Sequence, residues 1–243
     1  MPFRRQAHAV VLPAMENLAS AVAGLGIAMA ATPLREADIE ATLLAASIEG
    51  MDRADLRLVA LVVSWFGVHS SRVNADRLTR LVAGQSIRVR ALWAALALWK
   101  RKDRRFGRLA RVHRGQAIDL LATGTDFQLR RRGEDLRFSG SGLRVPAGVL
   151  RDRPGDIEEP AALARRHRTY HWRVVIGPTY RADLWAALER TPSATAYAVA
   201  GVTGASYASA WSARADFLSI HGARRGRPRP GGAISRPNKA AGR

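Results

Sequence analysis

Between Leu56 and Val68 the chain is apolar almost all the way round: Leu58, Val59, Leu61, Val62, Val63, Trp65 and Phe66 fall within one stretch. A helix without a polar face must be wrapped by other helices. This one is too short to cross a bilayer. The chain must therefore supply neighbours, and the flanking sequence does so. Thr32-Pro33 opens a first helix with Glu36, Asp38 and Glu40 near its positive end, an inward stripe of Ile39, Leu43, Leu44 and Ile48, and Gly50 as its close. Asp52 caps the apolar helix, with Asp55 at its third position. Asn74 starts a third helix, with Leu78, Leu81 and Val82 inward, that ends at Gly84. Ser86 starts a fourth that runs through Trp93, Leu96 and Trp99. Residues 32–124 thus read as a helical bundle of short-loop neighbours. Trp65, Trp93 and Trp99 are expected in its core, and His69 at a helix end or on the surface.

Residues 1–31 are expected to form a loosely packed or poorly ordered arm. Arg4 and Arg5 precede an alanine-rich apolar stretch that resembles a signal peptide in outline, but Pro13, Glu16 and Asn17 interrupt it. Met15 is an alternative start. The chain has no cysteine, which excludes disulfides, thiolate catalysis and zinc fingers. The expected location is the cytoplasm, with no membrane association and no cofactor or metal.

Beyond the bundle core, Lys100 to Arg114 carries eight basic residues against one acid and reads as a loosely docked helix. Its guanidinium forks suit phosphate oxygens, so Arg104, Arg105 and Arg108 are candidate phosphate contacts. A short helix is expected over Gln116–Ala122. From Thr125 the alternation of Phe127-Gln128-Leu129 and Leu136-Arg137-Phe138 about Gly133-Glu134 predicts a small hairpin, with Leu143-Arg144-Val145 as a third strand. Arg130, Arg131 and Arg132 would place cations on that hairpin. Residues 151–160, rich in Pro and Gly, complete a β insert and linker over 125–159. Then come a short helix at Pro160–His167, a strand at His171–Ile176, and a helix capped by Thr179 with Tyr180, Leu184, Trp185 and Leu188 inward.

The last segment, Thr191 to Leu218, reads TPSATAYAVAGVTGASYASAWSARADFL. Thr191 and Pro192 suit a helix start, and Gly204 suits a tight turn. Ser206 begins a second helix whose buried side is Ala210 and Ala213, while Val199 and small Ala200 face it from the first. Helix, glycine turn, helix is a helix-turn-helix pattern, and the segment resembles the helix-turn-helix of bacterial and phage repressors. That resemblance implies a tri-helical DNA-binding domain over 160–221. It places Ser206, Tyr207, Ala208, Ser209, Trp211, Ser212 and Arg214 on the groove-facing side, where such side chains touch base edges, thymine methyls or phosphates.

Charge points the same way. Thirty-nine basic residues stand against 20 acidic ones, a net charge of +19, and an excess of this size implies an acidic partner. Residues 222–243 hold seven basic residues and no acid and are expected to be a disordered basic tail, with Arg224, Arg225 and Arg227 on phosphates. Catalytic groupings are absent from the pattern. His167 and His171 have the spacing of a metal pair without a supporting carboxylate. Arg108–His113 and Arg166–His171 share an R-x4-H spacing seen in some helical RNases.

The expectation is a mainly α protein that binds double-stranded DNA as a repressor-like or antitoxin-like regulator of transcription, with a protein partner available to the N-terminal bundle. The alternatives are an RNA-binding or RNA-cleaving protein using His113 or His171, and an interaction scaffold with a degenerate hairpin.

Overall fold

The computed structural model describes residues 12–221. The chain is mainly helical, with one small two-stranded sheet. The helices of the larger unit are α1 (Met15–Gly24), α2 (Ile39–Asp52), α3 (Leu56–His69), α4 (Ala75–Ala83), α5 (Ile87–Trp99), α6 (Thr125–Arg132), α7 (Pro160–Arg166) and α8 (Arg168–Ile176). The smaller unit consists of α9 (Tyr180–Arg190), α10 (Ala196–Thr203) and α11 (Tyr207–His221). One apolar core runs from Leu18 to Tyr170, and a second is built from α9, α10 and α11.

Helix α3 occupies the centre of the larger core, as its unbroken apolar surface requires: Leu58 through Phe66 are all buried. Trp93 joins it in the interior, whereas Trp99 is half-buried at the end of α5 and packs on Gly67. The indoles of Trp65 and Trp93 each donate to an acceptor inside the larger core, as a buried N–H requires. Trp65 Nε1 donates to the Leu25 carbonyl at 2.8 Å and Trp93 Nε1 to Ser47 Oγ at 2.9 Å.

Several boundaries differ from the expectation, each for a local reason. Residues 12–31 are no loose arm: Leu18, Ala21, Val22 and Leu25 enter the core, and Ile27 bridges Ile157. Gly24 allows this close approach, since a Cβ there would lie 2.3 Å from the Leu34 carbonyl oxygen. Helix α2 begins at Ile39 rather than Pro33, because Glu36 adopts a left-handed φ of 59° and Asp38 is the residue that caps, accepting from Ala41 N at 3.0 Å. Asp55, not Asp52, caps α3. Gly50 lies inside α2 against Val59. Asn74 and Ser86 cap α4 and α5 as expected.

The basic stretch after α5 forms two 3₁₀ turns, Arg104–Gly107 and Leu109–Arg111, not a helix. Its anchors Phe106 and Leu109 are both buried and lie three apart, the repeat at which a 3₁₀ turn stacks side chains. In place of the helix expected at 116–122, β1 (Ile118–Asp119) pairs in parallel with β2 (Leu143–Arg144). The hairpin expected at 127–138 is instead α6, bounded by Gly124 and Gly133, both at φ 75°. Phe127 stays exposed and Leu129 half-buried, so the alternation carried no sheet face. The 151–160 segment is no linker either: Ile157 is buried and Arg153 N donates to Ser64 Oγ at 3.0 Å.

Helix α8 replaces the strand expected at 171–176. Its buried residues are Tyr170 and Arg173, three apart, while Val174, Val175 and Ile176 point outward. Burial of Arg173 overrides the β preference of that triplet. The Arg173 guanidinium is fully buried, donating to Glu40 from both Nη atoms at 2.6 and 2.8 Å and to Asp183 from Nε at 2.8 Å. Arg77 pairs with Asp38 and approaches Glu40 at 3.6 Å, while Asn74 N donates to Glu40 at 2.9 Å. Burial alone would lower the basicity of Arg173, but the carboxylates of Asp183 and Glu40 outweigh it and hold the cation charged. This cluster joins α2, α4 and α8 to α9, so it fastens the smaller unit to the larger one.

His69, expected at a helix end or on the surface, is fully buried. Its Nε2 faces the Glu158 carbonyl at 3.1 Å and must donate; its Nδ1 therefore accepts from the Tyr170 hydroxyl at 2.7 Å. Burial pushes its pKa down to about 4, against a smaller upward pull from the Glu158 carbonyl.

Candidate nucleic-acid interface

The smaller unit is built from few residues. Helix α9 buries Leu184, Trp185 and Leu188; α10 buries Ala196, Val199 and Ala200; α11 buries Ala210, Ala213 and Phe217. Alanine at Ala200, Ala210 and Ala213 lets the helices pack closely, and Trp185 and Phe217 fill the space beyond with rings 5.6 Å apart at 73°. The start of α10 is four residues later than the sequence suggests. Thr195 is the cap, its side chain accepting from Ala198 N at 3.2 Å, and Thr191-Pro192 lie in the preceding turn. Gly204 closes α10 at φ 70°, the left-handed geometry that favours glycine. Ser206 then satisfies the start of α11 by accepting from Ser209 N at 3.1 Å. The larger core extends through Tyr170, so α7 and the start of α8 pack there rather than with the smaller unit that the sequence places from residue 160.

Among the described residues nothing covers the outer side of α11. Ser206, Tyr207, Ala208, Ser209, Trp211 and Ser212 are all exposed, Trp211 to 61% and Tyr207 to 59%. Tyr207 and Trp211 lie four residues apart, so a phenol and an indole share one exposed side of α11. Arg214 is different: it is half-buried, and its Nε donates to the Ala194 carbonyl at 2.9 Å, tying α11 to the turn before α10. The cation placed at this face by sequence reasoning thus has a structural partner. Arg181 of α9 is also paired, with Asp216 at 2.9 Å. Exposed Tyr197 and Val202 on α10 escaped the sequence reading. The signal was there, since they are bulky residues at outward positions in an alanine-rich helix.

The remaining candidates lie in the larger unit. Arg104 is exposed. Arg105 is engaged with Asp103 and also donates to the Val73 carbonyl at 3.2 Å. Arg108 approaches Asp76 at 3.7 Å with both side chains exposed, and not His113. Arg130, Arg131 and Arg132 are exposed in the last turn of α6, where a helix end favours cations. Arg224, Arg225 and Arg227 lie outside the described residues, as does the basic tail.

The histidine groupings do not assemble. His167 caps α8 by accepting from Tyr170 N at Nδ1, and its Nε2 donates to the Ala37 carbonyl at 2.9 Å, so neither nitrogen is free for a metal. His171 is exposed beside Trp172. His113 packs on Gly142 with its Nε2 lacking a hydrogen-bond partner.

No helix among the described residues is long and apolar enough to cross a membrane. No protein-family model matches this mainly helical chain, and no curated protein or solved structure is detectably similar to it.

Proposed function

We propose that the chain binds double-stranded DNA through a helix-turn-helix made by α10 and α11, as a regulator of transcription. The observation that carries this reading is the uncovered outer side of α11, from Ser206 to Ser212, on a helix whose opposite side is fixed by Ala210, Ala213 and Phe217. A major groove admits one such helix. Serine hydroxyls there meet phosphates or base edges, and Tyr207 and Trp211 supply apolar contact to thymine methyls. With Arg214 and Arg181 engaged, phosphate neutralisation falls to cations elsewhere, foremost the basic residues after His221.

Electrophoretic retardation of the full chain with duplex DNA, single-stranded DNA and RNA across a salt series tests the proposal. Duplex should bind most tightly, and the salt slope should fall by about 0.9 for each phosphate contact removed when Arg224, Arg225 and Arg227 are replaced by alanine. Equal affinity for all three nucleic acids would contradict it.

The exposure of Tyr207, Trp211 and Val202, together with the engaged Arg214, favours a second reading in which this face docks a protein. Aromatic residues are enriched at such interfaces. In that case, replacing Trp211 leaves nucleic-acid affinity unchanged.

A further inference from the structure

A cleft of about 590 Å³ opens in the larger unit, away from the α11 face, between the end of α5, the 3₁₀ turn at Ser70–Arg72 and the loop at 136–140. Lys100, Arg101 and Lys102 line it together with the hydroxyls of Ser70, Ser71 and Ser139. Its other charges are already matched. Asp103 accepts from Arg105 Nε and Nη2, and Arg137 donates to Asp135 and to the Leu150 carbonyl. Arg101 and Lys102 are exposed, and neither pairs with an acid among the described residues. Lys100 Nζ sits 4.3 Å from the centre of the Trp99 ring and donates to the Gly67 carbonyl at 3.0 Å, which leaves further ammonium protons for a ligand. The cleft thus concentrates three uncompensated cations beside three hydroxyl donors.

Its rim is apolar. Leu136 is 89% exposed and Leu98 37%, and both line the cleft. A leucine held almost wholly in water, in the same cleft as three cations, suits a ligand with a flat apolar part and an anionic part. We infer that this cleft binds a nucleoside di- or triphosphate, with the phosphates on Arg101, Lys102 and Lys100 and the base against Leu98 and Leu136. The volume lies within the range of small-ligand pockets, roughly 300–1,000 Å³. A concave site of this size accommodates a free phosphate chain better than the convex backbone of a duplex, whose phosphates track an open stripe. The inference does not depend on the α11 reading.

Isothermal titration of the full chain with ADP, GDP, pyrophosphate and adenosine tests it. At least one nucleotide should bind in the micromolar range, pyrophosphate at least about tenfold more weakly, and adenosine not at all. Arg101→Ala/Lys102→Ala should weaken nucleotide binding at least about tenfold, since charge-assisted hydrogen bonds are lost. Leu136→Ser should weaken nucleotide but not pyrophosphate binding. Both variants alter exposed side chains, and unchanged thermal melting would verify their fold; Trp211→Ala should leave nucleotide binding intact. The inference is overturned if no nucleotide binds or if binding survives Arg101→Ala/Lys102→Ala. It is equally overturned if those substitutions weaken only duplex DNA, which would make the cleft a backbone contact.

Discussion

The two units of this protein treat their polar and aromatic residues in opposite ways. The larger one draws charge inward: Glu40, Arg77 and Arg173 are buried, and His69 and His167 are enclosed with both ring nitrogens engaged. The smaller one leaves aromatic surface outside, at Tyr197, Tyr207 and Trp211, on a core made largely of alanine. Buried ion pairs rarely add net stability over apolar packing, yet losing one partner is costly. Tyr207 and Trp211, each about three-fifths exposed, leave much of their apolar surface in water. The larger unit holds its helices together with internal ion pairs, and the smaller one keeps a side of α11 open among the described residues. Asp183 belongs to both, sitting on α9 while bonded to Arg173 and Asn74.

The strongest test of that contrast is Arg173→Met. It strands Glu40 and Asp183 in the interior and should cost about 3–5 kcal/mol in chemical denaturation. The triple change Glu40→Leu/Arg173→Met/Asp183→Leu should recover much of the loss. If Arg173→Met costs under about 1 kcal/mol, a buried charge cluster is not what fastens the units. Phe217→Ala removes the largest side chain of the α11 core contribution and should cost about 3–4 kcal/mol. Amide exchange should place that loss in α9–α11, with α3 still protected; a uniform loss across both units would mean that they unfold as one.

Acid sharpens the comparison next. His69 has a folded pKa of about 4, below its unfolded value, and burial likewise lowers that of His167. Both are neutral when folded, so their contribution is complete above the unfolded histidine pKa and is lost as pH falls through the range toward 4. Denaturation midpoints should drop between pH 7 and pH 4, with His69 responsible for about 2–3 kcal/mol. His69→Gln should flatten that slope; an identical slope in the variant would assign it to other groups. Smallest is Thr195→Ala, which removes the α10 cap and should cost about 1 kcal/mol by thermal melting.

The helical class was legible in the sequence because α3 is apolar on every side, and Asn74, Ser86 and Gly204 mark element ends with local chemistry. The α11 face was legible for a similar reason, since Ala210 and Ala213 define the inward side and everything opposite follows from helical spacing. Other features depend on partners far away in the chain. Arg173 reads as one residue in a β-branched run, and its helix makes sense only once Glu40, 133 positions earlier, is placed against it. Thr191-Pro192 and Thr195 are both sound caps, and local sequence does not rank them. Helical spacing puts Arg214 on the groove-facing side, and its acceptor, a backbone carbonyl, leaves no mark in a side-chain pattern. The cleft beside Trp99 escaped because its walls come from three separate segments.

The central claim is that the outer side of α11 meets duplex DNA, and the affinity of full-length Tyr207→Ala/Trp211→Ala for duplex tests it most directly. The account predicts at least about a tenfold loss of duplex affinity with an unchanged melting temperature, because both side chains are exposed. Unchanged duplex affinity in a folded variant would contradict it.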